Sequence, residues 1–319
     1  MAQPQTGRPA TFAATPQTAA LAAVPKLGVG IGYQPELQRF LESRGDEYDF
    51  LEVVPEVVWN DLGPGRAARY VADPESHAFL EEQRRSRYVI PHSTGLSIGS
   101  AHRFDREHVQ QMKRWHEWLR FPWHSDHLAF HLAEQDGEVN VNLTLPLPLD
   151  RGTLQLVAER AAEVRRTVPT PFLLENNVSY FRMEGQDYGE ADFLNALHRA
   201  SGCGILLDLH NLYVNSRNQG VDWRGFLNRL NMDAVVEVHL AGGMEMDGFY
   251  LDAHSGPTPE PVWWMLEQVL PQCQNLGGVT FELFGSWYQP MGEDALRRQL
   301  ARMRKLWSRH KPEPARRVA

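Results

Sequence analysis

Late in the chain, three short stretches carry a carboxylate or an imidazole at or near an apolar run. Val235-Val236 leads to Glu237 and His239, Gly278-Val279-Thr280-Phe281 leads to Glu282, and Asp252-Ala253-His254 lies between them. Side chains at the ends of such runs stand at the mouth of a β/α sheet or barrel, where active sites gather. Nitrogen and oxygen ligands from three separate segments can hold a divalent ion. Imidazole suits iron, zinc or nickel, and carboxylate suits harder ions. The same arrangement recurs earlier in the chain. Read by strand ends, the polar set is His92, Asp126 with His127, Glu175, Asp208 with His210 and Asn211, His239, Asp252 with His254, and Glu282.

Each member taken singly has an ordinary explanation: a lone histidine after a strand is more often a hydrogen-bonded structural residue, and a lone glutamate more often pairs with arginine. The set changes the balance. It holds five carboxylates, Asp126, Glu175, Asp208, Asp252 and Glu282, and the segments that carry them contain no Lys or Arg. Buried carboxylates without a counter-charge are costly. Converged in one barrel mouth they require cations, and their number suits two or three ions bridged by a carboxylate. Cys203 and Cys273 lie far apart in no metal-binding spacing, which argues against an iron–sulfur cluster or a structural zinc. They read as buried thiols of a protein from a reducing, cytoplasmic compartment.

Other chemistries lack their motifs. The chain has no phosphate loop, no H-E-x-x-H helix and no G-x-S-x-G elbow. Gly28, Gly30 and Gly32 are spaced G-x-G-x-G rather than G-x-G-x-x-G, so they read as glycines at a crowded barrel start. Most of His77, His102, His108, His116, His124, His198 and His310 read as solvated surface. The 32 basic and 40 acidic residues give a net charge of −8, which argues against a nucleic-acid partner. No apolar run approaches the roughly 18 residues of a membrane span, and the first two dozen residues lack the apolar core of a secretory signal.

The elements that must position the polar set follow from the hydrophobic pattern. Eight strand candidates occur, at 27–32, 49–54, 88–91, 123–131, 171–174, 204–207, 234–239 and 278–282, with helical patterns in most intervals. Strands alternating with helices indicate a parallel β/α architecture. Eight of them suit a single-domain (β/α)8 barrel of the triosephosphate-isomerase (TIM) type, expected over residues 24–310, with a disordered tail at 1–23 and a short tail at 311–319. A doubly wound open sheet is the alternative, and it brings several strand ends to one point less readily. The segments Leu145-Pro146-Leu147-Pro148 and Ser286-Trp287-Tyr288 are expected to frame the mouth, either bracketing an extended peptide or packing into the core.

Nine stretches, in order, resemble a known family: Gly30-Ile31-Gly32-Tyr33, Leu51-Glu52-Val53-Val54-Pro55-Glu56, His92 to Ser100, Ser125-Asp126-His127-Leu128, Leu174-Glu175-Asn176, Leu207-Asp208-Leu209-His210-Asn211 with the residues to Asn215, Glu237-Val238-His239-Leu240-Ala241-Gly242, Asp252-Ala253-His254 and Phe281-Glu282. The pattern is similar to that of the multinuclear non-heme iron-dependent oxidative enzymes. The resemblance implies a barrel holding two or three irons, with Glu175 bridging two of them. His92 and Asp126 would then bind one iron, and Asp208, His239 and Glu282 the other. Asp252 with His254 would help hold a third or complete the set, and His210 is counted among the metal ligands. It also implies that iron and molecular oxygen oxidise residues, mostly cysteines, of a ribosomally made precursor peptide whose leader is presented by a small partner protein. Two positions depart from the family pattern: His210-Asn211 stands where Asn-Asn is frequent, and no acid follows Glu282.

Two other readings share the polar set. One is a hydrolytic or isomerising barrel, such as a trinuclear zinc phosphodiesterase or a sugar isomerase, which would use metal-activated water. The other is a non-catalytic scaffold, against which the near-complete ligand set argues. Metal content separates the three.

Overall fold

The structure, a computed structural model, describes residues 20–134, 138–181 and 183–317. Its centre is a closed ring of eight parallel strands: β1 (Gly28–Gly32), β2 (Phe50–Val53), β3 (Val89–Ser93), β4 (His124–His127), β5 (Phe172–Glu175), β6 (Gly204–Asp208), β7 (Val235–Ala241) and β8 (Gly278–Glu282). Neighbours around the ring are neighbours in sequence. The ring closes where β1 pairs with β8, Gly28 opposite Gly278 through Ile31 opposite Phe281. That pairing excludes the open doubly wound sheet. The strands read as continuous apolar runs because both faces are covered: every residue of β2, β3, β5, β6 and β7 is buried.

Inside the barrel the side chains stack in layers. A Cβ placed on Gly30 would lie 2.3 Å from the Phe50 ring, and one on Gly278 2.6 Å from it. Glycine at these positions therefore makes room for the aromatic plug of the barrel floor. Trp123 meets Phe50 edge-on at 6.1 Å and donates its indole N–H to Glu237 Oε2 at 2.6 Å. Thr280 donates to the other oxygen of Glu237 at 2.7 Å. Glu237 is thus held by the core and is not presented to the mouth.

Several details differ from the sequence-based expectation. The fourth strand does not run on to His131. It ends at His127, and Ala129–Glu134 pairs antiparallel with Glu138–Pro146 as a long hairpin after β4. Leu145 and Pro146 end the hairpin's second strand, and Leu147 is buried against Gly99. Ser286-Trp287-Tyr288 belongs to the helix Gly285–Met291. There Trp287 and Tyr288 pack against the core, Tyr288 with its ring 6.2 Å from that of Phe40. A helix, Leu209–Gln219, starts directly after β6 with Asp208 as its cap. His108, His124 and His198 are buried rather than solvated.

Residues 1–19 of the expected N-terminal tail lie outside the described residues. Leu21 is buried, as is Val24 just beyond the expected boundary, at the barrel floor near Gly204 and Gly277. At the other end, Ala315 donates its N–H to the Lys26 carbonyl at 2.7 Å and the Trp307 indole donates to the Pro312 carbonyl at 3.0 Å. Both cysteines are free and buried. Among the described residues no helix is long and apolar enough to cross a membrane.

Candidate metal centre

The last residues of the strands converge at the open end of the barrel. Glu175, at the end of β5, is the hub. Its Oε2 lies 3.3 Å from His92 Nε2 and in close contact with His127 Nδ1. Its Oε1 lies 3.7 Å from His239 Nδ1. Glu175, Asp208 and His239 form one group of mutually close ligand atoms, and His92, His127 and Glu175 form another. Glu282 Oε2 lies 3.2 Å from His239 Nδ1 and 3.7 Å from His254 Nε2. Asp252 Oδ1 completes this side, 3.2 Å from His254 Nε2.

Other residues hold these side chains in place. His92 Nδ1 contacts the Ser125 hydroxyl at 2.9 Å, which leaves Nε2 facing Glu175. His239 Nε2 is 2.8 Å from Glu52 Oε2, which leaves Nδ1 facing Glu175 and Glu282. Such outer partners fix the ring orientation of metal-binding histidines. His210 Nδ1 donates to Asp252 Oδ1 at 2.7 Å. The Asn211 backbone N–H donates to Asp208 Oδ1 at 2.7 Å, and its side-chain amide donates to Glu175 Oε1 at 3.3 Å. Asn176 makes two bonds with the Asp208 backbone, at 2.8 and 2.9 Å.

A test of whether these residues suit metal ions is the state of their free atoms. His92 Nε2, His127 Nδ1, Glu175 Oε2, Asp208 Oδ2, His239 Nδ1 and His254 Nε2 are all buried, and beyond the close approaches within this set of histidines and carboxylates they have no hydrogen-bond partner. Buried polar atoms are rarely left unpaired, and here they belong to one set of histidines and carboxylates. Such a donor set suits a multinuclear site of first-row metals.

The electrostatics agree. Among the described residues, the ion-pair partners of Glu52, Glu175, Asp252 and Glu282 are histidines, not Lys or Arg. Burial would push the Glu175 carboxyl up, but His127 and His92 hold it well below the usual range. Asp208 is pushed well above its usual value, by burial and then by the negative charges of Glu175, Asp252 and Glu282. For His127, burial opposes the charged ring, yet the Glu175 carboxylate raises it to about 9. For His254, Asp252 and Glu282 likewise outweigh burial and raise it to about 10.

These shifts predict a proton cost for loading. In the metal-free folded protein, His127 and His254 hold protons up to about pH 9 and 10, whereas free imidazole loses its proton near about 6.5. Their pairing with carboxylates stabilises the metal-free fold below that value, and the contribution is lost as pH rises through 9 to 10. Metal binding needs the neutral ring. Titration with ferrous iron in a weakly buffered anaerobic solution at pH 7.5 should therefore release protons, and apparent affinity should rise with pH. A pH-independent affinity between 6 and 9 would contradict this arrangement.

Most of the expected site residues meet here: His92, Glu175, Asp208, His239, Asp252, His254 and Glu282. Two are not brought into these groups. Asp126 is not in the converging groups. Its carboxylate accepts the Leu96 N–H at 3.3 Å, and burial pushes it well above the usual range. Alternation along β4 gives the reason: Ser125 and His127 meet His92 and Glu175, so Asp126 between them turns the other way. The second residue brought in by β4 is thus His127. His210 Nδ1 is the hydrogen-bond partner of Asp252, and His210 stands outside the converging groups with its Nε2 buried and unpartnered. Glu52 was not among the expected site residues. Its signal in sequence was a lone carboxylate inside the apolar run of β2.

The family described as RiPP precursor modification enzyme MbnB/TglH/ChrH matches residues 28–283, from the start of β1 to just past Glu282. The chain belongs to this family. The MbnB/TglH/ChrH match therefore encloses all eight strands and every residue of the centre. Curated relatives carry the name UPF0276 protein. The chain is 37% identical to the one from Chromobacterium violaceum over 179 residues, 56% of this chain and 64% of that protein. It is 31% identical to the one from Streptomyces avermitilis over 283 residues, 88% of this chain and 55% of that protein. A relative from Bordetella pertussis is 32% identical over 248 residues, covering 76% of this chain and 80% of that one. The match thus spans less than two thirds of the first two relatives' length. Among solved structures, D-psicose 3-epimerase from Clostridium cellulolyticum superimposes with a TM-score of 0.57 at 12% identity, covering 89% of this chain and all of that one. Endonuclease IV from Thermus thermophilus does so with 0.54 at 14% identity, over 88% and 99%. At such identities the likeness is one of fold, the TIM barrel.

Proposed function

We propose that this member of the MbnB/TglH/ChrH family is a multinuclear iron enzyme that uses molecular oxygen to modify a residue, in the first instance a cysteine, of a ribosomally made precursor peptide in the cytoplasm. A small leader-binding protein would present that peptide. The observation that carries the reading is the set of six buried nitrogen and oxygen atoms around Glu175, Asp208 and His239 that have no partner outside the cluster.

His92, His127 and Glu175 would hold one ion and Glu175, Asp208 and His239 a second, with Glu282, Asp252 and His254 beside it. Bound iron would supply the redox chemistry that these side chains lack, together with an affinity for soft thiolate sulfur. The chain's own residues orient and enclose. Glu52 and Ser125 fix the two central imidazoles, His210 fixes Asp252, and Asn211 spans Asp208 and Glu175.

The mouth above the centre is a cavity of about 340 Å³. Tyr33, Leu143, Tyr180 and Phe284 line it together with the metal-facing residues. Exposed Leu143 and Phe284 stand in its wall, and Phe249 packs against its Tyr180, all on segments that follow strand ends. A peptide covers such a rim, whereas a sugar offers it little. The test is mass spectrometry of a cysteine-bearing peptide encoded beside this chain, co-expressed with it and with any adjacent small protein. The expected result is a mass change that needs oxygen and is lost in His239→Ala. A mass change that persists without oxygen or in that variant overturns the oxidative reading.

A further inference from the structure

Beside the metal-centre cavity lies a second one, of about 370 Å³, that plays no part in holding metal. Leu128, Leu147, Leu149, Val221 and Phe226 wall it. Leu128, Leu147 and Phe226 are fully buried, while Leu149 and Val221 are half-buried. Phe181 stands exposed at its rim, on the segment after β5. The two cavities share one wall residue, Asn177, two positions after the bridging Glu175. Asn177 is 8% exposed, and its side-chain Nδ2 is buried without a partner.

An unpaired amide N–H at the boundary between two cavities calls for an acceptor. A peptide threaded from one cavity into the other brings one, a backbone carbonyl. Among the wall residues Asp222 and Arg229 are exposed, and half-buried Glu190 is the remaining acid. The Asn177 backbone N–H donates to its carboxyl, and burial pushes it up to about 7. It is therefore only partly ionised at neutral pH and neutral in acid, beside the apolar side chains of Leu128, Leu147 and Phe226. A volume of this size accepts one large side chain.

We propose that this cavity is a specificity subsite that takes an apolar side chain, aliphatic or aromatic, one or two residues from the residue modified at the metal centre, with Asn177 Nδ2 donating to the intervening carbonyl. The proposal rests on the reading of the metal centre as the place where a peptide residue is modified.

The test uses the iron-loaded protein under anaerobic conditions, so that binding is read without turnover. The probes are the capped pentapeptide Gly-Gly-Cys-Gly-Gly and four versions with one flanking glycine replaced by leucine, each also made with serine for cysteine. Calorimetry should show one leucine position binding about tenfold or more tighter than the glycine parent, the scale of burying one leucine. At that position lysine and glutamate should bind no better than glycine. Val221→Trp and Leu149→Trp, which fill the cavity from two sides, should each bring the leucine-to-glycine ratio to near one. The subsite is overturned if no position prefers leucine, if lysine or glutamate is preferred, or if the preference survives both substitutions. Failure of the metal-centre reading looks different: cysteine and serine peptides would bind alike while the leucine preference stood.

Discussion

Glu175→Gln removes at least one metal ion per chain, and no other single substitution removes more. The side chain keeps its shape, so the barrel should fold. What changes is charge and ligand capacity at the residue that faces His92, His127 and His239 at once. A bridging carboxylate serves two ions, so its loss exceeds the roughly 10–100-fold in affinity that removal of an outer-shell partner costs. A second consequence follows from the charge. The carboxylate that raises His127 to about 9 is gone, and burial then favours the neutral ring. The proton release expected on loading falls accordingly. Metal analysis after gel filtration checks the first effect and calorimetry in two buffers the second. Full iron content with full activity would mean that Glu175 is not the bridge.

His239→Ala has the other large effect, and it acts on the fold as well as the metal. His239 stands between Glu52 below and Glu175 and Glu282 above. Its removal takes a candidate ligand from the middle of the site and leaves Glu52, 1% exposed, without its imidazole partner. Breaking a buried pair from one side costs about 3–5 kcal/mol, which for a chain of this size lowers the melting temperature by roughly 10 °C. The loss depends on pH. Burial already pushes Glu52 well above the usual carboxyl range, so without His239 the folded protein keeps a proton there that the unfolded chain releases above about pH 4.5. The variant's stability should therefore fall as pH rises through neutrality, and differ least from the parent in acid. Glu52→Gln separates the two roles. It keeps a hydrogen-bonding side chain, so the fold should survive while iron affinity drops by roughly 10–100-fold. Equal melting temperatures for His239→Ala and the parent at pH 8 would contradict this account of the pair.

The barrel was legible because its signal is periodic and repeated. Each strand is a short apolar run, since parallel strands are buried on both faces, and most of the later runs end in a polar residue that the topology carries to one rim. Seven of the nine expected ligands, Glu175 and His239 foremost, are brought together on that ground. What the pattern could not give is side-chain direction near a strand end. Asp126 and His127 are adjacent, and only the pairing of β4 with β3 and β5 decides that His127 meets Glu175. Glu52 was hidden for a related reason. It lies inside its run rather than at the end, where a carboxylate reads as an anomaly until His239 is found opposite. The Leu209–Gln219 helix was obscured because its polar residues, His210 and Asn211, face inward to the site. Leu145 to Pro148 reads as a loop by its prolines, yet Leu145 and Pro146 pair across a hairpin whose partner strand is far from obvious in sequence.

Metal analysis of the full chain is the most direct test. Purified anaerobically with ferrous iron supplied, the protein should carry two or three irons per chain, held through gel filtration and lost in Glu175→Gln. Stoichiometric zinc with no iron, accompanied by phosphodiesterase activity, would contradict the account and favour a hydrolytic barrel.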